Sequence, residues 1–209
     1  MAPKTATSKT ATSKTATSET VTRWVALLRG VNVGGATVRS ADLAALFTEL
    51  GFGAVKTVLA TGNVAFDSDV EDSDTRATAA LTSTIQDALS TRFGYDAWIV
   101  LLTRDALAAT AQAYPFTRRD DVEHPYLVFG SSDAVLDELL EESTAAIRDG
   151  RSGSSAGVEE IARGDGCLYW RLPRGHSTDT PVAKVTAKKK YRSGTTTRNL
   201  RTVEKIAAA

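Results

Sequence analysis

The sequence has 209 residues, of which 42% are hydrophobic and 24% are charged, and its formal net charge at pH 7 is zero. These are ordinary values for a globular protein, and a chain of this length can bury a sizeable core. A single cysteine excludes an intramolecular disulfide, and no apolar run approaches the roughly 18 residues that would span a bilayer. The N-terminus also has no apolar region of a signal peptide, so we expect a cytoplasmic protein with no membrane association.

The charges are distributed unevenly along the chain. Residues 184–209 carry a net charge of +7 and residues 1–20 a net charge of +2, which leaves −9 for the stretch between them. A basic C-terminal region on an acidic body could attract the phosphate groups of a nucleic acid. Lys188–Lys190 could equally form a solvated helix face, and we favour this second interpretation.

Residues 1–21 form a low-complexity tail. The pentapeptide Lys-Thr-Ala-Thr-Ser occurs at residues 4–8, 9–13 and 14–18, and the first twenty residues contain no Leu, Ile, Phe or Trp. Such a segment cannot bury enough apolar surface to offset the entropy of ordering, so we expect it to be disordered. A transit peptide is the alternative, although the segment has no arginine.

The next segment, residues 22–114, shows a regular alternation of strands and helices. Apolar runs predict strands over residues 24–28, 55–60, 64–66 and 97–102, and the spacing of apolar residues predicts helices over 40–50 and 81–94. Ser40 is expected to cap the first helix, and a third helix should follow from Thr103. The order strand, helix, strand, strand, helix, strand predicts a ferredoxin-like βαββαβ unit.

The pattern begins again in residues 115–209. Strands are predicted over 126–129, 158–163 and 167–172, with Asp165-Gly166 as the turn of a hairpin. A helix begins near Ser132, a basic helix contains Val182 and Val185, and a short helix closes the chain. No final strand is apparent, so the predicted fold is α+β, with a ferredoxin-like unit followed by a second, incomplete βαββα unit.

Two glycine-containing segments are expected at one end of the first sheet. They are the loop Arg29–Gly35, after the first strand, and the turn Thr61–Asn63, between the second and third strands. Because the third strand should lie between the first two, the segments become neighbours. Backbone N–H groups on small residues, together with an arginine and two asparagines, could bind an anion. The glycines could equally serve only the loop conformation, and neither a P-loop nor a dinucleotide fingerprint is present.

Three segments give the chain a family resemblance: Val25–Gly35, Thr61–Phe66 and Thr195–Val203. On these motifs the chain resembles, over about residues 22–207, the family known as domain of unknown function 1697. The resemblance implies a pair of ferredoxin-related halves and no established reaction. The chain has Thr61 where the family usually has serine, and Leu200 where it usually has an aromatic residue. The third motif is expected to approach the other two, which adds Arg198 and Asn199 to the candidate site.

The predicted ligand-binding residues are therefore Arg29, Asn32, Gly34, Gly35, Thr61, Gly62, Asn63, Arg198 and Asn199. The expected partner is a small anionic or nucleotide-like ligand. Nucleic-acid binding through Lys184–Lys205 and a structural or interaction domain without a ligand are the alternatives. Catalytic residues and an enzymatic activity are not assigned, and the sequence does not indicate the oligomeric state.

Other common chemistries lack the residues that they need. His124 and His176 are far apart, and their spacing does not suggest a zinc site, so we expect neither a metal nor a cofactor. Cys167 opens a predicted strand and is expected to be an inert buried thiol. RNA-binding sheets of this type carry several aromatic residues on their central strands, whereas these strands offer only Trp24 and Phe66.

Overall fold

The computed structural model describes residues 21–30, 38–59, 62–150, 159–176, 178–192 and 194–209, with only the backbone of Arg192. Four of the predicted site residues lie outside these ranges, as does the tail 1–20 that was expected to be disordered. Those four are Asn32, Gly34, Gly35 and Thr61.

Two successive groups of elements make up the described chain. The first contains β1 (Thr22–Arg29), α1 (Ser40–Glu49), β2 (Gly53–Thr57), β3 (Asn63–Ser68), α2 (Thr75–Phe93), β4 (Trp98–Thr103) and α3 (Arg104–Gln112). The second contains β5 (Glu123–Gly130), α4 (Asp133–Gly150), β6 (Glu160–Arg163), β7 (Cys167–Pro173), α5 (Pro181–Thr186), α6 (Lys189–Arg192), β8 (Thr195–Asn199) and α7 (Leu200–Ala207).

The strands form two four-stranded antiparallel sheets, so the α+β class is confirmed. The first sheet has the order β2-β3-β1-β4, in which β3 lies between β1 and β2 as predicted. The second has the order β6-β7-β5-β8. Each sheet is thus built from a hairpin and two further strands, which lie side by side next to the second strand of the hairpin.

The expectation of an incomplete second unit is wrong, because β8 supplies its last strand. Residues Thr195–Asn199 pair antiparallel with β5, and Leu127 lies opposite Arg198. Three consecutive threonines are β-branched and favour an extended backbone. Their polarity hides the strand from a search for apolar alternation.

Local boundaries differ in two further places. Helix α1 begins at Ser40 itself, with Arg39 as the N-cap and no side-chain cap bond, so Ser40 is not the cap. Strand β2 begins at Gly53 and ends at Thr57, earlier than predicted, and its register shifts at a bulge between Gly53 and Lys56. Inside this bulge Ala54 has a φ of 42°.

Strand β1 is the centre of the packing because both of its faces are buried. Trp24, Ala26 and Leu28 pack with residues of α1, α2 and β3, whereas Val25 and Leu27 face the second sheet. Burial on both faces explains why this strand is a continuous apolar run. The alternation also directs each residue of β1 and β3 to one of two distinct environments.

Three apolar clusters hold the layers together. The first lies between the first sheet and its helices α1 and α2, and the third lies between the second sheet and α4 to α6. The second cluster combines residues of both sheets with residues of α3 and α7. The two sheets therefore share one core across their facing sides.

Candidate functional site

The end of β1 lies against the turn between β2 and β3. The backbone N–H of Leu28 donates to the carbonyl oxygen of Gly62 at 2.8 Å. Gly30 and Gly62 have φ angles of 75° and 69°, which favour glycine because a side chain is strained there. Arg29 is partly buried and lies opposite Trp98 of β4. The structure thus brings Arg29, Gly62 and Asn63 to one end of the first sheet.

Asn63 closes this turn with its side chain as well as its backbone. The side chain is fully buried, and its Nδ2 donates to the carbonyl oxygen of Val58 at 2.8 Å. The backbone N–H of Val58 donates in return to the carbonyl oxygen of Asn63 at 2.9 Å. Asn63 therefore joins the end of β2 to the start of β3, whereas the sequence analysis had proposed it as a ligand-binding residue.

The side chain of Arg198 crosses from the second sheet to the same turn. Its Nε donates to Oδ1 of Asn63 at 2.6 Å. Its Nη2 donates to the carbonyl oxygen of Leu28 at 2.6 Å and to that of Gly62 at 3.3 Å. Within its own strand, Nη1 donates to Thr196 Oγ1 at 2.8 Å. The third motif thus contacts the first two directly.

This contact follows from the alternation of residues along the strands. Arg198 lies opposite Leu127, whose side chain belongs to the core between the sheets, so Arg198 points toward the first sheet. Asn63 points the same way as Ala65, which belongs to the same core. The two polar side chains meet because each occupies an inward position at the edge of the shared core.

Burial leaves Arg198 charged but at an energetic cost. Only 9% of the residue is exposed, and desolvation lowers the pKa of its guanidinium to about 10. The group is therefore protonated at neutral pH. The acceptors on Asn63, Leu28 and Gly62 are uncharged oxygens, so these contacts hold a positive charge at the junction of the two sheets.

Asn199 acts as a helix cap. Its side-chain oxygen accepts a hydrogen bond from the backbone N–H of Arg201 at 3.0 Å, and Asn199 is the N-cap of α7. This local role agrees with the cap-like character of the Thr197-Arg198-Asn199 sequence.

Tyr95 lies at the same end of the sheet and was missed in the sequence analysis. It follows Gly94, the C-cap of α2, and precedes β4, whose first residue pairs with the end of β1. A Cβ atom on Gly30 would lie 3.9 Å from Cε2 of Tyr95. The only available signal was topological, because a strand antiparallel to β1 must begin beside the end of β1.

The basic C-terminal segment forms ion pairs with helix α4. Lys188 binds Glu142, and Nζ of Lys190 lies 2.6 Å from Glu138 and 2.9 Å from Glu142. Tyr191 also donates to Glu142, at 2.6 Å. The two lysines are about half exposed, at 48% and 50% of their side-chain surface, so they form a paired and partly solvated face.

Several other chemistries find little support in the described part of the chain. Cys167 is fully buried, and burial raises the pKa of its thiol to about 11, so it is a poor nucleophile at neutral pH. Within the residues described, no group of three or more histidine, cysteine or carboxylate side chains could hold a metal ion. None of the described helices is both long enough and apolar enough to cross a membrane.

Two solved structures resemble this one to different degrees. The conserved bacterial protein SP0830 from Streptococcus pneumoniae superposes with a TM-score of 0.68 at 22% identity, covering 90% of this chain and 98% of that chain. At this identity the similarity shows the fold alone. An unknown protein from Galdieria sulphuraria reaches a TM-score of 0.23 at 14% identity, covering 86% of this chain and 98% of its own, which supports no argument.

The sequence comparisons give a family but no activity. No curated protein matches the chain. The model of the family described as "Protein of unknown function (DUF1697)" matches residues 21–169, which include β1 and the β2–β3 turn but not β8. Since the match covers more than half of the chain, the protein belongs to the DUF1697 family.

Proposed function

We propose that the protein binds a small anionic or nucleotide-like ligand at the end of the first sheet where β1 meets the β2–β3 turn. The loop Arg29–Gly35 and the turn Thr61–Asn63 would form the site. Arg29 supplies charge, Gly34 and Gly35 supply backbone donors, and Asn32 supplies an orienting amide.

The observation that carries the proposal is the convergence of three chain segments around Arg198. The end of β1, the turn at Gly62 and strand β8 meet there through hydrogen bonds of 2.6–3.3 Å. Arg29 is the last residue of β1 and directly follows Leu28, whose carbonyl oxygen accepts a hydrogen bond from Arg198. Positive charge together with glycine backbone is the combination that phosphate-binding loops use.

The geometry changes the roles of two residues in this site. Asn63 and Arg198 bond to each other and to the turn, so they position the turn and hold charge beneath it. Direct contact with the ligand then falls to Arg29, to the loop that follows it and to the backbone near Gly62. A structural domain without a ligand would need the same Arg198 contacts, so ligand binding has to be tested through Arg29.

Thermal unfolding with phosphate, sulfate, chloride and adenine nucleotides at matched ionic strength tests the proposal. A ligand at 100 times its Kd stabilises the native state by about 2.7 kcal/mol, which raises the Tm by about 5–10 °C for a domain of this size. Arg29→Ala should abolish this shift. Arg104→Ala is the matched control, because Arg104 pairs only with the exposed neighbour Asp105 among the ion pairs observed.

Three outcomes separate the alternatives. A shift that disappears in Arg29→Ala and persists in Arg104→Ala supports the proposal. The absence of any shift with the whole panel refutes it and favours a structural domain. Retardation of a nucleic acid that weakens steeply with salt and requires Lys188–Lys190 would instead support the nucleic-acid alternative. The ion pairs of Lys188 and Lys190 with Glu142 and Glu138 argue against that third outcome.

A further inference from the structure

Tyr95 has a buried hydroxyl group that lacks a hydrogen bond. Among the described residues, three buried side-chain hydroxyls lack a partner, on Thr78, Tyr95 and Ser143. Leaving such a group unsatisfied costs about 1–3 kcal/mol, and the large majority of buried polar groups in proteins are paired. An unsatisfied group in a native structure therefore needs an explanation.

The position of Tyr95 sets it apart from the other two. Thr78 lies in the first turns of α2 and Ser143 lies within α4, both on helix faces. Tyr95 follows the C-terminus of α2 and precedes β4, at the end of the sheet that carries Arg29 and Gly62. Its ring packs against the first apolar cluster, and Cε2, the carbon beside the hydroxyl-bearing Cζ, approaches Gly30.

We propose that the Tyr95 hydroxyl donates a hydrogen bond to the anionic ligand of this site. This inference rests on the proposed function, because it assigns a further binding residue to the same rim. A phenol is a suitable donor to a phosphate oxygen, and a donor without a protein partner is free to make that bond. The apolar ring holds the donor in place, so little conformational entropy is lost on binding.

The protonation state of Tyr95 agrees with this role. Desolvation raises the pKa of its hydroxyl above the ordinary value of 10.0, so the proton is present throughout the neutral range. The Tyr95 hydroxyl can therefore donate a hydrogen bond throughout the neutral pH range, in which a phosphate group is ionised. Arg29, the residue before Gly30 at the end of β1, would supply the positive charge that a neutral phenol lacks.

Tyr95→Phe is a sharp test because it removes the hydroxyl and keeps the ring. Without ligand, the variant should be at least as stable as the wild type, since an unsatisfied buried group has been removed. With inorganic phosphate as the probe, or the nucleotide that gives the largest thermal shift, its Kd by calorimetry should rise about tenfold or more. Thr78→Val removes another unpartnered hydroxyl, at the opposite end of α2, and should leave the Kd unchanged.

The possible outcomes distinguish this inference from the proposed function on which it rests. An unchanged Kd in Tyr95→Phe, with binding lost in Arg29→Ala, overturns the role of Tyr95 alone. A large loss of stability in Tyr95→Phe without ligand also overturns it, because the hydroxyl would then have a structural partner such as a buried water. If no probe binds the wild type, both the proposed function and this inference are refuted.

Discussion

Replacement of Arg198 by methionine should destabilise the whole protein, because this side chain donates three hydrogen bonds from the second sheet to the first. Arg198→Met keeps a long apolar stem and removes the guanidinium. The lost donors leave the oxygens of Asn63, Leu28 and Gly62 without the contacts that they make across the junction. The bonds to Thr196 and Thr197 within β8 are lost as well.

The magnitude follows from two opposing contributions. Hydrogen bonds that involve a charged group contribute about 1.5–3 kcal/mol each, so the three across the junction give about 5–9 kcal/mol. The pKa of Arg198 falls from 12.5 to about 10 through desolvation. At about 1.4 kcal/mol per unit, removal of the buried charge returns about 3 kcal/mol. We expect a net loss of about 2–6 kcal/mol in the free energy of unfolding.

Equilibrium unfolding in urea, followed by tryptophan fluorescence, measures this loss in both halves. Trp24 reports on the first sheet and Trp170 on the second. Arg104→Met, which removes only an exposed ion pair with Asp105, should change the unfolding free energy by less than about 0.5 kcal/mol. Arg198→Lys should fall between wild type and Arg198→Met, because an ammonium cannot match the planar donors of arginine.

A double-mutant cycle with Asn63→Ala checks that the effect arises at the junction. Residues in direct contact within one network show coupling energies of about 0.5–3 kcal/mol. A loss below about 1 kcal/mol in Arg198→Met, or strictly additive effects with Asn63→Ala, would refute the reasoning. The turn and β8 would then be adjacent without being energetically connected.

Two further predictions concern a carboxylate and a strained turn residue. Hydrogen bonds from Lys188, Tyr191 and Lys190 lower the pKa of Glu142 to about 2, so its contribution to stability is present above about pH 4.5 and is lost as the pH falls toward 2. Acid titration of unfolding should be less steep in this window for Glu142→Gln, and an equally steep titration would contradict the assignment. Leu59 is 48% exposed with a φ of 59°, so Leu59→Asn should stabilise by about 0.5–1 kcal/mol in thermal unfolding, because asparagine tolerates this conformation. Val122, 52% exposed with an ordinary φ, is the control, and Val122→Asn should show no such gain.

The parts of the fold that the sequence predicts are those whose burial leaves an apolar pattern. Strand β1 is buried on both faces, so its five consecutive apolar residues identify it without ambiguity. Helices α1 and α2 place their apolar residues on one side only, which gives the helical spacing. From the element order, the rules for strand connection suffice to place β3 between β1 and β2.

Strand β8 escapes the same reasoning because its inward residues are polar. Thr196 and Arg198 point into the shared core, where their polar atoms bond to the other sheet. A buried polar residue is stable only with such partners, and these partners lie 168 and 170 residues earlier in the chain. The periodicity of apolar residues within a short stretch of sequence cannot reveal a contact between residues so far apart in the chain. The same limit explains why Tyr95 was missed, because the residues next to Tyr95 in the sequence do not indicate that it lies close to Gly30.

The position of Arg198 has a consequence for how any ligand site in this protein is organised. Asn63 joins the two ends of the β2–β3 turn through its bond to Val58, and the Asn63 side chain is bonded by Arg198 of the second sheet. Val25 and Leu27, on the face of β1 that is turned toward the second sheet, pack with Leu127 and Phe129 of that sheet. An isolated first half would therefore expose apolar surface and also lose the guanidinium that holds its turn. The two halves resemble each other in topology, yet the rim that carries Arg29 and Gly62 depends on both of them.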